Sequence, residues 1–273
     1  MFRGRRFLLW SCVSVLAAIV AAALVLPFFM TYGVAEATGA GPWEAPSRAH
    51  WLGTDSIGRD LFVRVLYGTR LTIGIAFLVA CLSGLIGAGL AFYAAVRPGA
   101  VDWAISRGYD VLLSIPHLIL ALMVVTVVGS SVTALVVTMA VIESAFFFRV
   151  IYPVARDVMT QDYVEAARLR KEGAGWIVLR ELVPNVLPTL ITEAGLRVSF
   201  AALFLSALSY LGLGVQPPYS DLGALVRENV EAIAFGIPTP IYPAVVLALF
   251  SIAVNGIVGL LAEHHALRAE VGG

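Results

Sequence analysis

Charge is what this sequence has least of. Of its 273 residues only 13% are Asp, Glu, Lys or Arg, against about 25% in a typical soluble domain. Hydrophobic residues make up 60% and the mean hydropathy is +0.90. That balance excludes a water-soluble globular chain and defines an integral membrane protein. The few charges also cancel, 18 basic against 18 acidic, which argues against a nucleic-acid partner. Cysteine is equally scarce. Cys12 and Cys81 lie far apart in apolar runs without metal-like spacing, so neither a disulfide nor a zinc site is indicated, and both read as small hydrophobes. No G-x-x-x-x-G-K-[ST] phosphate loop is present.

What is present is long apolar runs. A bilayer core takes about 20 apolar residues per helix. Six stretches match: 7–30, 71–96, 111–128, 132–154, 187–211 and 241–262. The expected fold is all-α, with six transmembrane helices. The first run follows Arg3, Arg5 and Arg6 but is too long for a signal-peptide core, so it reads as an anchor that stays. Basic residues orient the chain. An inside N-terminus gathers Arg97, Arg107, Arg149, Arg156, Arg168, Arg170, Lys171, Arg180 and Arg268 on the cytoplasmic side, leaving Arg48, Arg59, Arg64, Arg70 and Arg227 outside. Both termini are then cytoplasmic. The expected organisation is an anchor over 1–30, an extracytoplasmic loop with an interfacial helix over 31–70, a transmembrane domain over 71–265 and a cytoplasmic tail over 266–273.

Between the fourth and fifth runs lies the longest polar stretch, 157–188. It reads as two short helices around a turn. Asp162 is placed to cap the first, with Glu165 three residues later able to reach back. Ala166 and Ala167 give that helix a small face fit for close docking. Gly173-Ala174-Gly175 breaks it, Trp176 restarts it, and Pro184 and Pro188 mark entry to the next apolar run.

Before the second run stands His50-Trp51-Leu52-Gly53-Thr54-Asp55-Ser56-Ile57-Gly58-Arg59-Asp60. Residues 61–70 follow with an apolar face, expected to lie at the interface. On the residues alone this is an Asp/Gly turn and a capped helix. Within the runs, Pro116 is expected to kink the third, beside His117. Ionisable residues inside spans are costly unless paired or facing water. Glu143 lies mid-run with no partner four residues on, so it faces a cavity or another helix. Arg149 sits nearer the inner end and is expected to snorkel. Glu193 and Arg197 have ion-pair spacing on one helix face, with a pathway lining as the alternative reading.

Three motifs carry a family resemblance. Glu165-Ala166-Ala167 with Leu182-Val183-Pro184 resembles the coupling (EAA) loop of bacterial ABC-importer permeases, although Lys171 stands where that family usually has glycine. The 50–60 run is similar to the H-P-L-G-T-D-x-x-G-R-D signature of dipeptide, oligopeptide and nickel permeases, with Trp51 for proline. The run 208–218, LSYLGLGVQPP, resembles the family's LSFLGLGVQPP; Leu205 replaces a glutamate that many members carry. The resemblance implies a permease subunit of a bacterial plasma-membrane importer for peptides, nickel or another small solute. It implies as partners a second permease, two ATPases holding ATP and magnesium, and an extracytoplasmic binding protein. No cofactor on this chain is implied. It also assigns ATPase coupling to Asp162, Glu165, Ala166, Ala167, Lys171, Gly173, Trp176 and Pro184, and the outer signature to His50, Gly53, Thr54, Asp55, Gly58, Arg59 and Asp60. An ion-coupled secondary transporter would instead use Glu143, Glu193 and Arg197, and would show repeated halves. A membrane enzyme would need a convergent catalytic set, and His50 and His117 belong to no such motif.

Overall fold

A computed structural model describes the backbone of residues 2–30 and 32–271, and the side chains of residues 5, 7–30 and 32–262. The expected 266–273 tail lies outside the residues whose side chains are described, and its last two residues lie outside the described backbone. Described elements are all helical: α1 (Phe2–Val25), α2 (Leu61–Val96), α3 (Ala100–Ser114), α4 (His117–Val128), α5 (Val132–Val158), α6 (Asp162–Leu169), α7 (Ala174–Ile177), α8 (Val183–Tyr210), α9 (Leu222–Asn229) and α10 (Ile241–Val271). Five helices are long and apolar enough to cross a membrane, or six if one bent pair is a single span.

The bent pair is α3 and α4, and it corrects the expected third span. Residues 111–128 are not one kinked helix, because α3 and α4 meet at 90°. Ile115 precedes Pro116, whose ring disfavours helical backbone at the residue before it, and Ile115 is extended at φ −99 and ψ 132. A second difference lies at the start of α2. The stretch expected as a separate interfacial helix is the first part of one 36-residue helix, roughly 54 Å long at 1.5 Å per residue. That exceeds a hydrocarbon core of about 30 Å, so part of this helix extends beyond such a core. Asp60 starts the helix by accepting the Val63 N–H at 3.0 Å.

The helices α2 and α5 form the centre of the bundle. A Cβ on Gly87 would fall 2.5 Å from the Ser144 carbonyl oxygen. Absence of a side chain there lets two backbones approach as small residues do in lipid. Around this seam a central core joins Val79, Val125, Leu135, Met139 and Leu205. A second core, at the 159–182 end, joins Phe92, Phe148, Ile151, Val164, Ala167, Ile177 and Leu182. At the 32–60 end a smaller one joins Leu61, Val65, Leu222 and Leu225. Helix α7 runs through a π turn, Val178–Leu182, into α8, making one helix from Ala174 to Tyr210. Pro184 and Pro188 therefore lie inside a continuous helix instead of ahead of it. The Asn185 side chain donates to the Glu181 carbonyl at 2.6 Å, close to where Pro184 brings no N–H.

Candidate functional site

At the 32–60 end the signature folds into a buried ionic knot. Asp55 is fully buried, and its Oδ1 accepts the N–H groups of Ile57 at 3.0 Å and Arg59 at 2.9 Å. Its Oδ2 lies 2.7 Å from both Arg59 Nε and Arg64 Nη1. Both guanidiniums also reach Glu228 on α9, Arg59 at 2.9 Å and Arg64 at 2.6 Å. Ser220 completes the ring, accepting from Arg64 at 2.6 Å and donating to Glu228 at 2.7 Å. Two acids against two guanidiniums make the knot neutral, as burial demands.

Its neighbours are equally tied. Asp60 contacts His50 Nδ1 at 2.8 Å. Thr54 donates to Gly41 at 2.7 Å and accepts from the Glu44 N–H at 2.8 Å. Buried Asn229 accepts from Trp43 Nε1 at 3.3 Å and from the Ser56 N–H at 3.2 Å. Gly53 and Gly58 have φ +76 and +79, and a Cβ would lie 2.1 Å from the Glu44 carbonyl and 2.3 Å from that of Ala40. Both positions demand glycine for conformation and for space. Beside the knot Asp221 caps α9, accepting from Gly223 at 2.8 Å and Ala224 at 3.2 Å, and it accepts the Ser209 hydroxyl. Arg64, Ser220, Asp221, Glu228 and Asn229 were not singled out as site residues in the sequence. Of these, Asp221 carries a local signal, an acidic residue directly before the apolar spacing of Leu222, Leu225 and Val226.

Electrostatics separate these acids. Burial alone would raise Asp55, but the N–H groups of Arg59 and Ile57 and the charge of Arg64 outweigh it, leaving it below its ordinary 3.8. Burial likewise opposes Glu228, and the bonds and charges of Arg64, Ser220 and Arg59 hold it below its ordinary 4.5. Burial pushes Asp221 above 3.8, and the hydrogen bonds it accepts from Ser209, Ala224 and Gly223 offset only part of that rise.

Within the bundle the structure brings Glu143, Glu193 and Arg197 together. Arg197 Nη1 donates to Glu143 Oε2 at 3.0 Å, across from α8 to α5. Its Nε lies 2.7 Å from Glu193 Oε1, yet neither atom has a hydrogen-bond partner. The N–H direction misses the oxygen, so this contact is one of charge alone. Arg197 also lies over the rings of Phe146 and Phe200, at 5.4 and 5.0 Å. Arg149 is exposed and apart from the cluster. His117 starts α4 and meets Phe146 and Phe204 edge-on at 5.8 and 5.1 Å.

At the opposite end the polar stretch differs in detail from its expected form. Gln161, not Asp162, is the residue before α6, and no side chain caps that helix. Asp162 and Glu165 occupy the first turn, where their charge meets the helix dipole instead. Lys171 itself takes the left-handed turn at φ +60, while Gly173 is extended at φ −72 and ψ 157. The turn therefore stays at the position where the family's glycine was expected. Ala166 is exposed, but Ala167 is fully buried against this chain's own core. Trp176 is half-buried beneath Arg170, whose Cζ lies 5.7 Å from its ring. Glu165 is exposed, in a cleft with Thr160, Gln161 and Arg168.

The described elements, an all-helical bundle of membrane-spanning length with a buried ionic knot at one end and a polar helix pair at the other, make a multi-span membrane protein. Residues 83–271 match the family of binding-protein-dependent transport system inner membrane components. A glutathione transport system permease protein, GsiD, of Pectobacterium atrosepticum is 32% identical over 78% of this chain and 70% of its own length. A dipeptide transport system permease protein, DppC, of Alkalihalophilus pseudofirmus is 28% identical over 85% of this chain and 77% of its own. A probable D,D-dipeptide transport system permease protein, DdpC, of Escherichia coli is 35% identical over 67% and 62%. The chain belongs to the binding-protein-dependent inner membrane components. It is a multi-pass inner-membrane permease.

Proposed function

We propose that this chain is one of two permease subunits of an ABC importer for small peptides. The observation that carries this reading is its match, over 78% and 85% of its length, to permeases named for glutathione and dipeptides. In this reading a second, similar permease completes the path, an extracytoplasmic protein delivers cargo, and two ATPases bind ATP and magnesium. Both termini lie in the cytoplasm, as the distribution of basic residues supports. Helices α6 and α7 then face the ATPase. Their geometry suits docking. Val164, Ala167, Ile177 and Leu182 anchor the pair inward, while Tyr163, Glu165, Ala166, Arg168 and Leu169 stay exposed. The outer knot holds the loop as a rigid platform for the delivering protein.

The test is co-expression with the neighbouring permease, ATPases and binding protein. Expected is ATP-dependent peptide uptake by the reconstituted complex. Glu165→Lys and Ala166→Trp should leave the permease pair assembled while ATPase association falls about tenfold, since overpacking a tight contact costs about 1–3 kcal/mol. Uptake at parental rates by both variants would overturn the docking role. Ala167→Trp is unsuitable here, because it would disrupt this chain's own core.

A further inference from the structure

A cleft on α2 holds a cation with nothing beside it to neutralise the charge. Arg70 lies in the first third of α2 and Arg97 directly follows its last residue. Between them 71–96 carries no charged side chain. At 1.5 Å per residue the two arginines stand roughly 40 Å apart along the helix, which matches a bilayer of about 40–45 Å with its headgroup layers included. Charge is expensive inside hydrocarbon, so Arg70 lies at headgroup depth and Leu71 begins the acyl zone. There Arg70 borders a cleft of about 390 Å³ together with Tyr67 and Tyr219, and Leu71, Gly74 and Ile75 continue its wall along the helix. Tyr219 is steadied by its neighbour Ser220, which is bonded to Arg64 and Glu228 in the knot. Arg70 is exposed and has no ion pair, hydrogen bond or ring contact among the described residues. No carboxylate among them lines the cleft.

We propose that this cleft binds an anionic phospholipid, with Arg70 donating to the phosphate and an acyl chain running down the α2 face beneath it. The two ends of the cleft differ as the two ends of such a lipid do. A guanidinium is a planar fork of donors that matches phosphate geometry, and tyrosine is a side chain of the membrane interface. Below them the helix face turns apolar. Gly74 is exposed, with nothing within 4 Å of a Cβ, so the groove continues past it. Phe77 and Leu78 follow at 61% and 48% exposure, and Cys81 and Leu85 are exposed beyond them. Helical spacing puts all six of these positions, from Arg70 to Leu85, on one face. The step from Arg70 to Leu78 covers roughly 12 Å, within one leaflet of about 15 Å, half the hydrocarbon core. Charge selects the headgroup. A zwitterionic lipid brings an ammonium that meets no acid in this cleft, whereas a net negative headgroup is matched by Arg70 alone. The site belongs to the membrane and is independent of the cargo.

The test adds phospholipids to the purified, delipidated permease and reads bound lipid by native mass spectrometry. Phosphatidylglycerol should bind more tightly than phosphatidylethanolamine of the same acyl chains. Arg70→Gln should weaken phosphatidylglycerol about tenfold, the scale of one hydrogen bond to a charged group, and leave phosphatidylethanolamine little changed. Arg70→Lys, which keeps the charge, should restore most of the loss. Gly74→Leu fills the groove below the headgroup end and should weaken both lipids. Both positions are exposed, so the variants should keep the parental melting temperature, which separates lost binding from lost fold. Parental binding of phosphatidylglycerol by both Arg70→Gln and Gly74→Leu would overturn the site. Equal weakening of the two lipids by Arg70→Gln would overturn the charge selection. Two soluble competitors distinguish other sources of the anion. If glycerol 3-phosphate displaced the lipid at matched concentration, the cleft would be a site for a free phosphate. If a dipeptide did so in the parent but not in Arg70→Gln, it would be a carboxylate site. Either displacement would overturn the lipid assignment.

Discussion

Arg64 on α2 and Glu228 on α9 are 164 positions apart in the chain, yet Arg64 Nη1 lies 2.6 Å from Glu228 Oε2. Arg64 is 1% exposed and Nη1 also touches Asp55, so one nitrogen joins the loop signature to the far helix. Removing one partner of a buried pair strands the others and costs about 3–5 kcal/mol. Arg64→Met should lower the unfolding free energy of the purified permease by that amount. A loss below about 0.5 kcal/mol in denaturant titration would show that the knot does not stabilise the fold.

Acid should undo this contribution in a defined direction. Asp55 and Glu228 both titrate below their ordinary 3.8 and 4.5. Their stabilisation is present above those unfolded values and lost as pH falls through the depressed folded ones. The stability advantage of the parent over Asp55→Asn/Glu228→Gln should therefore be constant above about pH 5 and shrink below it. Comparing the two proteins at each pH cancels the opposite behaviour of Asp221. An advantage that grew on acidification would contradict the assignment.

The two crowded glycines can be separated from conformation by a third. Gly39 also has a positive φ, +81, but nothing lies within 4 Å of a Cβ there. Gly39→Ala should cost about 1–2 kcal/mol from backbone alone. Gly53→Ala and Gly58→Ala should cost more, since each Cβ meets a carbonyl oxygen. Protease cleavage within 32–60 reads the difference, and equal cleavage of all three variants would contradict the packing described.

Lys171 provides the converse case. A non-glycine residue at φ +60 is held in a conformation that costs roughly 1–2 kcal/mol. Lys171→Gly should raise stability by about 0.5–1 kcal/mol, reduced by glycine's extra freedom in the unfolded chain. Gly173→Ala, with ordinary φ and nothing within 4 Å, should be neutral or slightly stabilising. A destabilising Gly173→Ala with a silent Lys171→Gly would move the turn to Gly173.

The spans were legible because twenty apolar residues in a row have few other fates, and the turn at the polar stretch was legible from composition. Its location was not, because a glycine marks where a left-handed turn is cheap while Lys171 is held there by the helices on either side. Asp162 misled by one position: any acidic residue near a helix start looks like a cap, and only backbone angles distinguish the cap from the first turn. Pro116 announced a disturbance, but a kink and a 90° break share one sequence. The spacing of Glu193 and Arg197 put them on one helix face, whereas Glu143 joins them through the packing of α5 on α8. The acid and amide that close the outer knot lie in an ordinary amphipathic helix, and nothing local marks Glu228 or Asn229.

The knot also fixes an order of events during synthesis. Arg64 leaves the ribosome 164 residues ahead of Glu228, a delay of roughly 8–33 s at 5–20 residues per second. Throughout that interval Asp55, Arg59 and Arg64 lack their last counter-charge and keep their hydration. The 32–60 segment can lock only after α8 has been inserted and α9 has followed it. A nascent chain stalled before Ser220 should therefore be cut by protease in this segment, and a finished one should be protected. The last-made quarter of the protein thus acts as the clasp that matures the first.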